Sequence, residues 1–398
     1  MDIIITPTKL NGTISAIPSK SQAHRLLICA AFSDKQTFLE CSQTNEDIEA
    51  TARCLCALGA QIDRTDNGYL ITPVRDIPES ATLDCSESGS TLRFLLPIVC
   101  ALGVNTTIQM HGRLPYRPLS PLWEELERMG CTLTRPAETT IQTAGKLSAG
   151  NFTISGDVSS QFITGLLFAT ALLKGESVIS VTGKLESKPY VEMTRQVLSI
   201  FGVNTENYRI TGSRPFRSPG LSCVEGDWSN GAFFLAAKAL GNTIDVTNLD
   251  VASLQGDRAI ADILQNLNST PTISVADIPD LMPILAVVFG TTTGAVFTDI
   301  GRLRLKESDR VASVCNMINR LGAKAIATEE ILTITPGRFH SCTIDAVNDH
   351  RIAMAGAIAA TVADGPVTIC GAECVAKSYP SFWKDYELLG GKYEQYIR

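Results

Sequence analysis

The sequence lacks the short motifs that mark several large enzyme classes. It contains no Walker A phosphate loop, no Gly-x-Gly-x-x-Gly dinucleotide fingerprint and no Gly-x-Ser-x-Gly nucleophile elbow. Its twelve cysteines and four histidines do not group with the spacing of a zinc site. We therefore expect no metal and no cofactor, and the cysteines are typical of a reducing compartment.

Long apolar runs and an excess of positive charge are also missing. The longest apolar stretches, such as residues 281–289, are too short and too interrupted to span a bilayer. Residues 1–5 lack the basic region of a signal peptide. With 34 Lys and Arg against 41 Asp and Glu, the net charge of −7 argues against nucleic-acid binding. We expect a cytoplasmic protein without a membrane or nucleic-acid partner.

A helix, a glycine and a strand recur along the 398 residues, which is a length that favours two or three domains. The glycine, once replaced by asparagine, has the place of a left-handed residue after a helix end. The six copies recur at intervals of 54 to 72 residues, a regularity that any α/β protein could imitate but that favours a true repeat. They are 47–58 before Gly59, 122–129 before Gly130, 191–201 before Gly202, 260–267 before Asn268, 310–321 before Gly322 and 383–389 before Gly390.

Six such units divide naturally into two domains of three. The chain would cross between domains just before Lys20 and again at 225–227. We therefore predict one domain from residues 1–17 plus 227–398 and an inserted domain from 18–226, with the active site in the cleft between them. The fourth unit is cut short, and 268–280 is brief for a pair of strands.

Residues 18–25, Pro-Ser-Lys-Ser-Gln-Ala-His-Arg, predict an anion site at a helix start. Ser21 and Arg25 are four apart and share a helix face, and Lys20 lies beside the helix N-terminus, whose N–H groups favour an anion. Taken alone, the segment favours the plainer interpretation of a capped helix with solvated charges.

Other helix starts in different units carry hydroxyls or cations. Ser159 and Ser160 precede an apolar helix, and residues 88–90 precede another with a glycine that permits close approach to a ligand. Lys306 and Arg310 are predicted to share one helix face, and residues 348–351 lead into an almost wholly apolar helix. Each motif has a plain capping interpretation, but together they predict a cleft for a small, highly charged anionic ligand set.

These motifs, taken in order, resemble those of the 5-enolpyruvylshikimate-3-phosphate synthase family of enolpyruvyl transferases. The resemblance implies two lobes of an inside-out α/β barrel, each built from three βαββαβ units and joined by two crossovers. The segments that carry it are 18–25, 89–93, 114–118, 159–161, 187–190, 225–227, 254–257, 278–280, 303–310, 348–351 and 376–377.

The resemblance further implies transfer of the enolpyruvyl group of phosphoenolpyruvate to the 5-hydroxyl of 3-phosphoshikimate by a monomer. Asp280 would be the base at the hydroxyl, and Glu307 and Lys20 would move protons at the vinyl carbon. The implied 3-phosphoshikimate ligands are Lys20, Ser21, Arg25, Ser159, Ser160, Gln161, Ser187, Asp280 and Lys306. The implied phosphoenolpyruvate ligands are Lys20, Gly89, Arg117, Gln161, Arg310, Arg351 and Lys377.

Two alternatives stay open from the sequence. The first is UDP-N-acetylglucosamine enolpyruvyl transferase, which typically has a cysteine in the loop that here reads 112–118 and contains none. The second is a non-catalytic anion-binding protein on the same scaffold. Two positions depart from the family pattern: Glu87 stands where many members have asparagine, and Arg302 stands where some have a substrate-contacting asparagine.

Overall fold

The computed structural model describes residues 1–212 and 215–396, which form a mixed α/β protein. Its residues group into two compact units. The terminal unit contains Met1–Ile17 and the described part of Gly226–Arg398, and the inserted unit contains Pro18–Glu225. Gly226, which the sequence-based boundary placed in the inserted domain, falls in the terminal unit. There it packs so closely on the Asn248 carbonyl that no side chain would fit.

Twelve α-helices lie in the described ranges. They are α1 (Lys20–Ala31), α2 (Glu46–Ala57), α3 (Gly89–Leu102), α4 (Leu122–Arg128), α5 (Ser160–Leu172), α6 (Lys188–Ile200), α7 (Trp228–Ala239), α8 (Ile260–Ile263), α9 (Met282–Thr291), α10 (Arg310–Leu321), α11 (His350–Ala360) and α12 (Phe382–Leu388).

The strands alternate with these helices along the chain. They are β1 (Asp2–Thr6), β2 (Asn11–Ser15), β3 (Thr37–Glu40), β4 (Gln61–Thr65), β5 (Gly68–Thr72), β6 (Ser80–Asp84), β7 (Asn105–Gln109), β8 (Cys131–Ala137), β9 (Thr140–Gly145), β10 (Asn151–Ser155), β11 (Gly175–Thr182), β12 (Arg209–Gly212), β13 (Leu221–Cys223), β14 (Thr243–Thr247), β15 (Thr272–Ser274), β16 (Ala295–Thr298), β17 (Lys324–Ala327), β18 (Ile331–Thr335), β19 (Cys342–Asp345), β20 (Val367–Cys370) and β21 (Lys392–Tyr396).

Each unit contains three small sheets. Those of the inserted unit have the strand orders β13-β3-β5-β4, β6-β7-β9-β8 and β10-β11-β12, and those of the terminal unit have the orders β14-β2, β15-β16-β18-β17 and β19-β20-β1-β21. In five sheets a parallel pair continues into antiparallel partners, whereas β14-β2 is a parallel pair only. These repeated small mixed sheets are consistent with repeat units.

The helices divide into a buried set and an amphipathic set. The odd-numbered helices α1 to α11 are buried over most of their length. Most of them are apolar nearly all round, whereas the polar residues of α1 lie in its first two turns. In α3, α5, α9 and α11, the only Asp, Glu, Lys, Arg or His side chains are those of Arg93, His350 and Arg351, all near helix N-termini. The two units have separate apolar cores. No helix of the described ranges is both long and apolar enough to cross a membrane.

The predicted glycine positions after helix ends are confirmed at five of six units. Gly59, Gly130, Gly202, Gly322 and Gly390 have φ between 78° and 112°, the conformation that L side chains avoid.

The fourth unit differs from the prediction. Asn268 is not among the described residues with positive φ, and α8 ends at Ile263 instead of reaching residue 267. Between 268 and 280 the chain forms the single short strand β15. The cap is missing because the helix that it would close stops before it.

Candidate active site

The N-terminus of α1 places a lysine beside an aspartate. The Ser19 hydroxyl caps α1 by accepting a hydrogen bond from the Gln22 N–H, so the helix begins at Lys20, which the sequence placed beside the helix N-terminus. Lys20 Nζ lies 2.8 Å from Asp47 Oδ2, in the first turn of α2. Each of the two side chains is 17% exposed. Asp47 was not predicted as a site residue, and its place in the first turn of a helix gave no sign of this pairing.

Arg25 is buried on α1 among neutral acceptors. Its Nε donates to Thr194 Oγ1 at 2.8 Å, and its other nitrogens donate to the carbonyls of Tyr190, at 2.9 Å, and Ser21, at 2.5 Å. Burial lowers the pKa of the guanidinium to about 10 because the charged form loses its hydration. The structure thus joins Ser21 and Arg25 on one face, as the spacing predicted.

The start of α3 brings two arginines against a glycine. The Ser88 hydroxyl caps the helix by accepting from the Thr91 N–H at 3.2 Å. A Cβ on Gly89 would lie 2.6 Å from Arg93 Nη1 and 2.8 Å from Arg117 Nη1. Gly89 therefore lets two guanidinium groups lie next to the free N–H groups of a helix N-terminus, which is a suitable arrangement for an anion.

The start of α5 is hydrogen-bonded to α3. Ser159 caps α5, and Ser160 is its first residue. Gln161 accepts from Arg93 Nη1 at 3.2 Å, and its Nε2 donates to Ser90 Oγ at 2.9 Å. One turn further on, a Cβ on Gly165 would lie 2.2 Å from the Arg93 carbonyl oxygen, so the two helix backbones are in close contact.

Ser187 lies at the start of α6, where it is the residue before the first helical turn. Its φ of 52° is left-handed, and the side chain is buried. Such a conformation costs about 1 kcal/mol or more for a non-glycine residue, and it is often found at ligand sites.

In the terminal unit, Arg310 at the start of α10 is surrounded by carboxylates. Its Nη1 donates to Asp280 Oδ1 at 2.7 Å, its Nη2 to Glu307 Oε2 at 2.8 Å and its Nε to Asp349 Oδ2 at 3.1 Å. The Arg310 side chain is 1% exposed. Burial lowers the pKa of this guanidinium, but Asp349, Asp280 and Glu307 outweigh that effect and raise it above its ordinary value.

Three of the predicted cations lie close to the Asp280 carboxylate. Arg310 contacts one of its oxygens at 2.7 Å, Lys306 Nζ lies 3.8 Å from the same oxygen, and Arg351 Nη2 lies 3.4 Å from the other. Burial raises the pKa of Asp280, but Arg351, Lys306 and Arg310 hold it far below its usual range. The carboxylate is therefore ionised at neutral pH.

The prediction that Lys306 and Arg310 share a helix face is wrong. Lys306 follows a 3₁₀ turn, Gly301–Leu305, and α10 begins only at Arg310. The reason is Asp309, whose side chain accepts the Ala312 N–H at 3.1 Å and caps the helix there. Both cations still reach Asp280. Burial lowers the pKa of Lys306 to about 8, although Asp280 opposes the shift.

The start of α11 supplies Arg351 and its support. Asp349 caps the helix and also pairs with Arg310, which links the two arginine positions. Arg351 Nη1 donates to the Ser229 carbonyl at 2.8 Å. Lys377 follows in the same unit, at the end of the 3₁₀ turn Ala372–Lys377, and donates to the Asn348 carbonyl at 3.1 Å.

Sequence reasoning missed the roles of two buried aspartates in this unit. Asp349 lay inside a motif that was singled out, but its pairing with a residue 39 positions away depends on tertiary packing. Asp257 accepts a hydrogen bond from the Ser229 hydroxyl, and burial together with Asp280 raises its pKa to about 7. Within the described ranges, no group of three or more His, Cys, Asp or Glu residues is arranged to hold a metal.

Comparison with known proteins identifies what the chain resembles. Residues 4–386 match the family model "EPSP synthase (3-phosphoshikimate 1-carboxyvinyltransferase)". The chain is 38% identical over 415 residues to the 3-phosphoshikimate 1-carboxyvinyltransferase of Clostridium acetobutylicum, with 97% of each chain covered. It is also 38% identical to the enzyme of that name from Clostridium kluyveri, with 99% and 98% covered.

Solved structures share the fold. EPSP synthase from Acinetobacter baumannii superposes with a TM-score of 0.80 at 22% identity, over 99% of this chain and 100% of that one. The enolpyruvyl transferase NikO from Streptomyces tendae gives 0.75 at 15% identity, over 99% and 98%. At these identities the likeness concerns the fold alone.

Proposed function

This chain belongs to the EPSP synthase (3-phosphoshikimate 1-carboxyvinyltransferase) family, and from that premise we propose that the residues described above bind its two substrates and carry its proton transfers. The activity is transfer of the enolpyruvyl group of phosphoenolpyruvate to the 5-hydroxyl of 3-phosphoshikimate, with release of phosphate (EC 2.5.1.19). It is a step of aromatic amino acid biosynthesis in the shikimate pathway.

The proposed architecture is an inside-out α/β barrel of two lobes, each with three βαββαβ units. Three sheets and three buried helices in each unit support it. In this arrangement the apolar helices would be buried inside each lobe. The enzyme would act as a cytoplasmic monomer.

In the inserted unit the proposed role is anion binding. Lys20, Ser21, Arg25, Ser159, Ser160, Gln161 and Ser187 would hold 3-phosphoshikimate, and Lys20, Gly89, Arg117 and Gln161 would hold phosphoenolpyruvate. The support is that these residues lie at or within two turns of helix N-termini, or in the loop against α3. Charge-assisted hydrogen bonds of about 1.5–3 kcal/mol each would then add up over several donors.

In the terminal unit the proposed role combines proton transfer with charge neutralisation. Arg310, Arg351 and Lys377 would hold phosphoenolpyruvate, and Lys306 would join Asp280 in holding 3-phosphoshikimate. The observation that carries this assignment is the meeting of Lys306, Arg310 and Arg351 at Asp280. These cations would offset the negative charge of the tetrahedral intermediate, a preorganised electrostatic effect.

Asp280 would take the proton from the attacking 5-hydroxyl. With its pKa held so low by cations, the carboxylate is a weak base before substrate arrives. An anion that binds the same arginines draws on their charge, which raises the proton affinity of Asp280 as the reactants assemble. Glu307, paired with Arg310, and Lys20, paired with Asp47, would deliver and remove the proton at the methylene carbon.

A phosphate-release assay with phosphoenolpyruvate and 3-phosphoshikimate tests the proposal. We expect release that needs both substrates, none with UDP-N-acetylglucosamine as acceptor, and loss of at least about 100-fold in kcat for Lys20→Ala. Lys35→Ala, at an exposed position outside the site, is the matched control and should turn over normally. Near-normal turnover by Lys20→Ala would remove Lys20 from the mechanism.

A further inference from the structure

A chain of buried hydroxyl groups connects three helices of the inserted unit. His24 Nδ1 lies 2.7 Å from Thr51 Oγ1, which lies 2.7 Å from Thr91 Oγ1. Thr91 Oγ1 in turn lies 2.7 Å from Ser88 Oγ, the cap of α3. All four side chains are fully buried. We call these four residues the hydroxyl relay.

The relay lies about one turn behind the proposed ligand-binding residues. His24 is four residues after Lys20 on α1, and Thr51 is four residues after Asp47 on α2, so each pair shares a helix face. Thr91 also lies 3.4 Å from the Asp47 carbonyl oxygen. The second turns of α1 and α2 and the first turn of α3 are thus joined by a continuous series of polar contacts inside an otherwise apolar core.

The protonation state of His24 determines which groups of the relay donate hydrogen bonds and which accept them. Burial, together with Lys20 and Arg25, lowers the pKa of His24 well below its ordinary value, so the ring is neutral. Its Nε2 atom is buried without a hydrogen-bond partner. A buried N–H without an acceptor is rarer than an unused acceptor, which puts the proton on Nδ1.

With that tautomer, each group in the relay donates to the next. His24 Nδ1–H donates to Thr51, the Thr51 hydroxyl donates to Thr91, and the Thr91 hydroxyl donates to Ser88. Ser88 Oγ also accepts the Thr91 N–H, so the α3 cap receives two hydrogen bonds. Linked hydrogen bonds in a buried network fix relative positions more firmly than the single bonds would.

We propose that His24, Thr51 and Thr91 are positioning residues for phosphoenolpyruvate, an inference that rests on the proposed function. They hold the first turn of α3, with Gly89, at a fixed distance from the Lys20–Asp47 pair. The relay does not hold Arg25, whose hydrogen bonds go to Thr194, to Thr164 and to two carbonyls. Its loss should therefore weaken phosphoenolpyruvate binding more than 3-phosphoshikimate binding.

The test is Thr51→Val, which keeps the shape of the side chain and removes the central hydroxyl. We expect KM for phosphoenolpyruvate to rise roughly tenfold, the order of one to two lost hydrogen bonds, with KM for 3-phosphoshikimate changed less than about threefold. Thr51→Ser restores the hydroxyl and should restore KM.

The matched control is Thr170→Val. Thr170 is equally buried, on α5, and its hydroxyl donates to the Leu166 carbonyl at 2.7 Å. We expect this variant to lose thermal stability as Thr51→Val does but to keep both KM values. Equal KM values in Thr51→Val and Thr170→Val would overturn the proposal.

Nitrogen NMR of the histidine rings gives a second readout that needs no turnover. The His24 signals, assigned by their loss in His24→Gln, should show a neutral ring with the proton on Nδ1 at pH 6. A charged ring at pH 6, or the other tautomer, would contradict the relay.

If the unmodified protein releases no phosphate, the proposed function fails and the positioning role with it. If it turns over normally but Thr51→Val behaves as the control does, only the positioning role fails.

Discussion

Two buried arginines, one in each unit, have opposite surroundings. Arg25 in the inserted unit donates to hydroxyls and carbonyls, and burial lowers its pKa to about 10. Arg310 in the terminal unit donates to three carboxylates, which raise its pKa above the ordinary value despite burial. Burial of the guanidinium charge is therefore unfavourable at Arg25, whereas at Arg310 the neighbouring carboxylates compensate for it.

The difference indicates that the two units have different roles. A buried cation with neutral partners is stabilised when an anion arrives, so the Arg25 region is suited to capturing a phosphate or carboxylate. A cation already paired with carboxylates gains less from a ligand, but it keeps those carboxylates ionised and fixed in place for proton transfer. We expect affinity for substrate to depend more on the inserted unit and chemistry more on the terminal unit.

The largest expected effect compares the two arginines directly. Arg310→Met would leave the buried Asp349 without its cation and Asp280 with Arg351 and Lys306 alone, and we expect a loss of about 3–5 kcal/mol in unfolding free energy. Arg25→Met removes a desolvated charge along with its hydrogen bonds, so the net loss should be clearly smaller. Calorimetric unfolding of the ligand-free variants measures both.

The exposed Arg209, which pairs with Glu176, provides the control for this comparison. Arg209→Met should change stability by less than about 1 kcal/mol. If Arg25→Met proves as destabilising as Arg310→Met, the contrast between neutral and charged surroundings is wrong.

A second prediction concerns pH and Lys306. Because its folded-state pKa is lowered to about 8, the unfolded chain binds more protons between pH 8 and roughly 10.4, and stability should rise with pH across that window. Activity should move the other way, since deprotonation removes a cation from the 3-phosphoshikimate site. We expect kcat/KM for 3-phosphoshikimate to fall roughly tenfold per pH unit above 8.

Lys306→Arg keeps a charge that does not titrate in this range, so the fall above pH 8 should disappear. Lys324→Arg, the same change at an exposed strand position, should retain it. A fall that persists unchanged in Lys306→Arg would assign the titration to another group.

The smallest expected effect concerns the inserted unit. In Gly89→Ala the new methyl group would come within 2.8 Å of both Arg93 Nη1 and Arg117 Nη1. The flexible arginine ends can move aside, so the protein should fold, but they would leave the helix start. We expect KM for phosphoenolpyruvate to rise about tenfold, the order of one weakened charge-assisted bond.

Gly301→Ala is the control, since a Cβ there would meet nothing within 4 Å. Steady-state kinetics of both variants measure KM for phosphoenolpyruvate. A Gly89→Ala enzyme with an unchanged KM for phosphoenolpyruvate would separate Gly89 from that ligand.

The sequence was most informative where structure is local. The glycine after α10 and the serine before α5 act within one helical turn, so spacing alone predicted Gly322 and Ser159 correctly. The error at Lys306 was also local: Asp309 is a better helix cap, and the helix starts there. A pattern of four-residue spacing cannot show which residue caps.

The pairing of Arg310 with carboxylates could not be predicted from the sequence. Arg310 pairs with Asp280, 30 positions before it, and with Asp349, 39 positions after it. Such pairs depend on how three helix starts pack in one unit, which no periodicity encodes. For the same reason Asp47 gave no signal, the partners of Asp257 in the 254–257 segment could not be predicted, and the opposite surroundings of Arg25 and Arg310 became visible only in the structure.

The contact at Gly165 has a thermodynamic consequence. Because α3 and α5 pack there without room for a side chain, the Gly89 and Gln161 ends cannot shift independently. Two ligands held at those ends would therefore act on one rigid body, and ordering it for the first would lower the entropic cost for the second. Such cooperativity is reciprocal: each substrate would tighten binding of the other by the same factor.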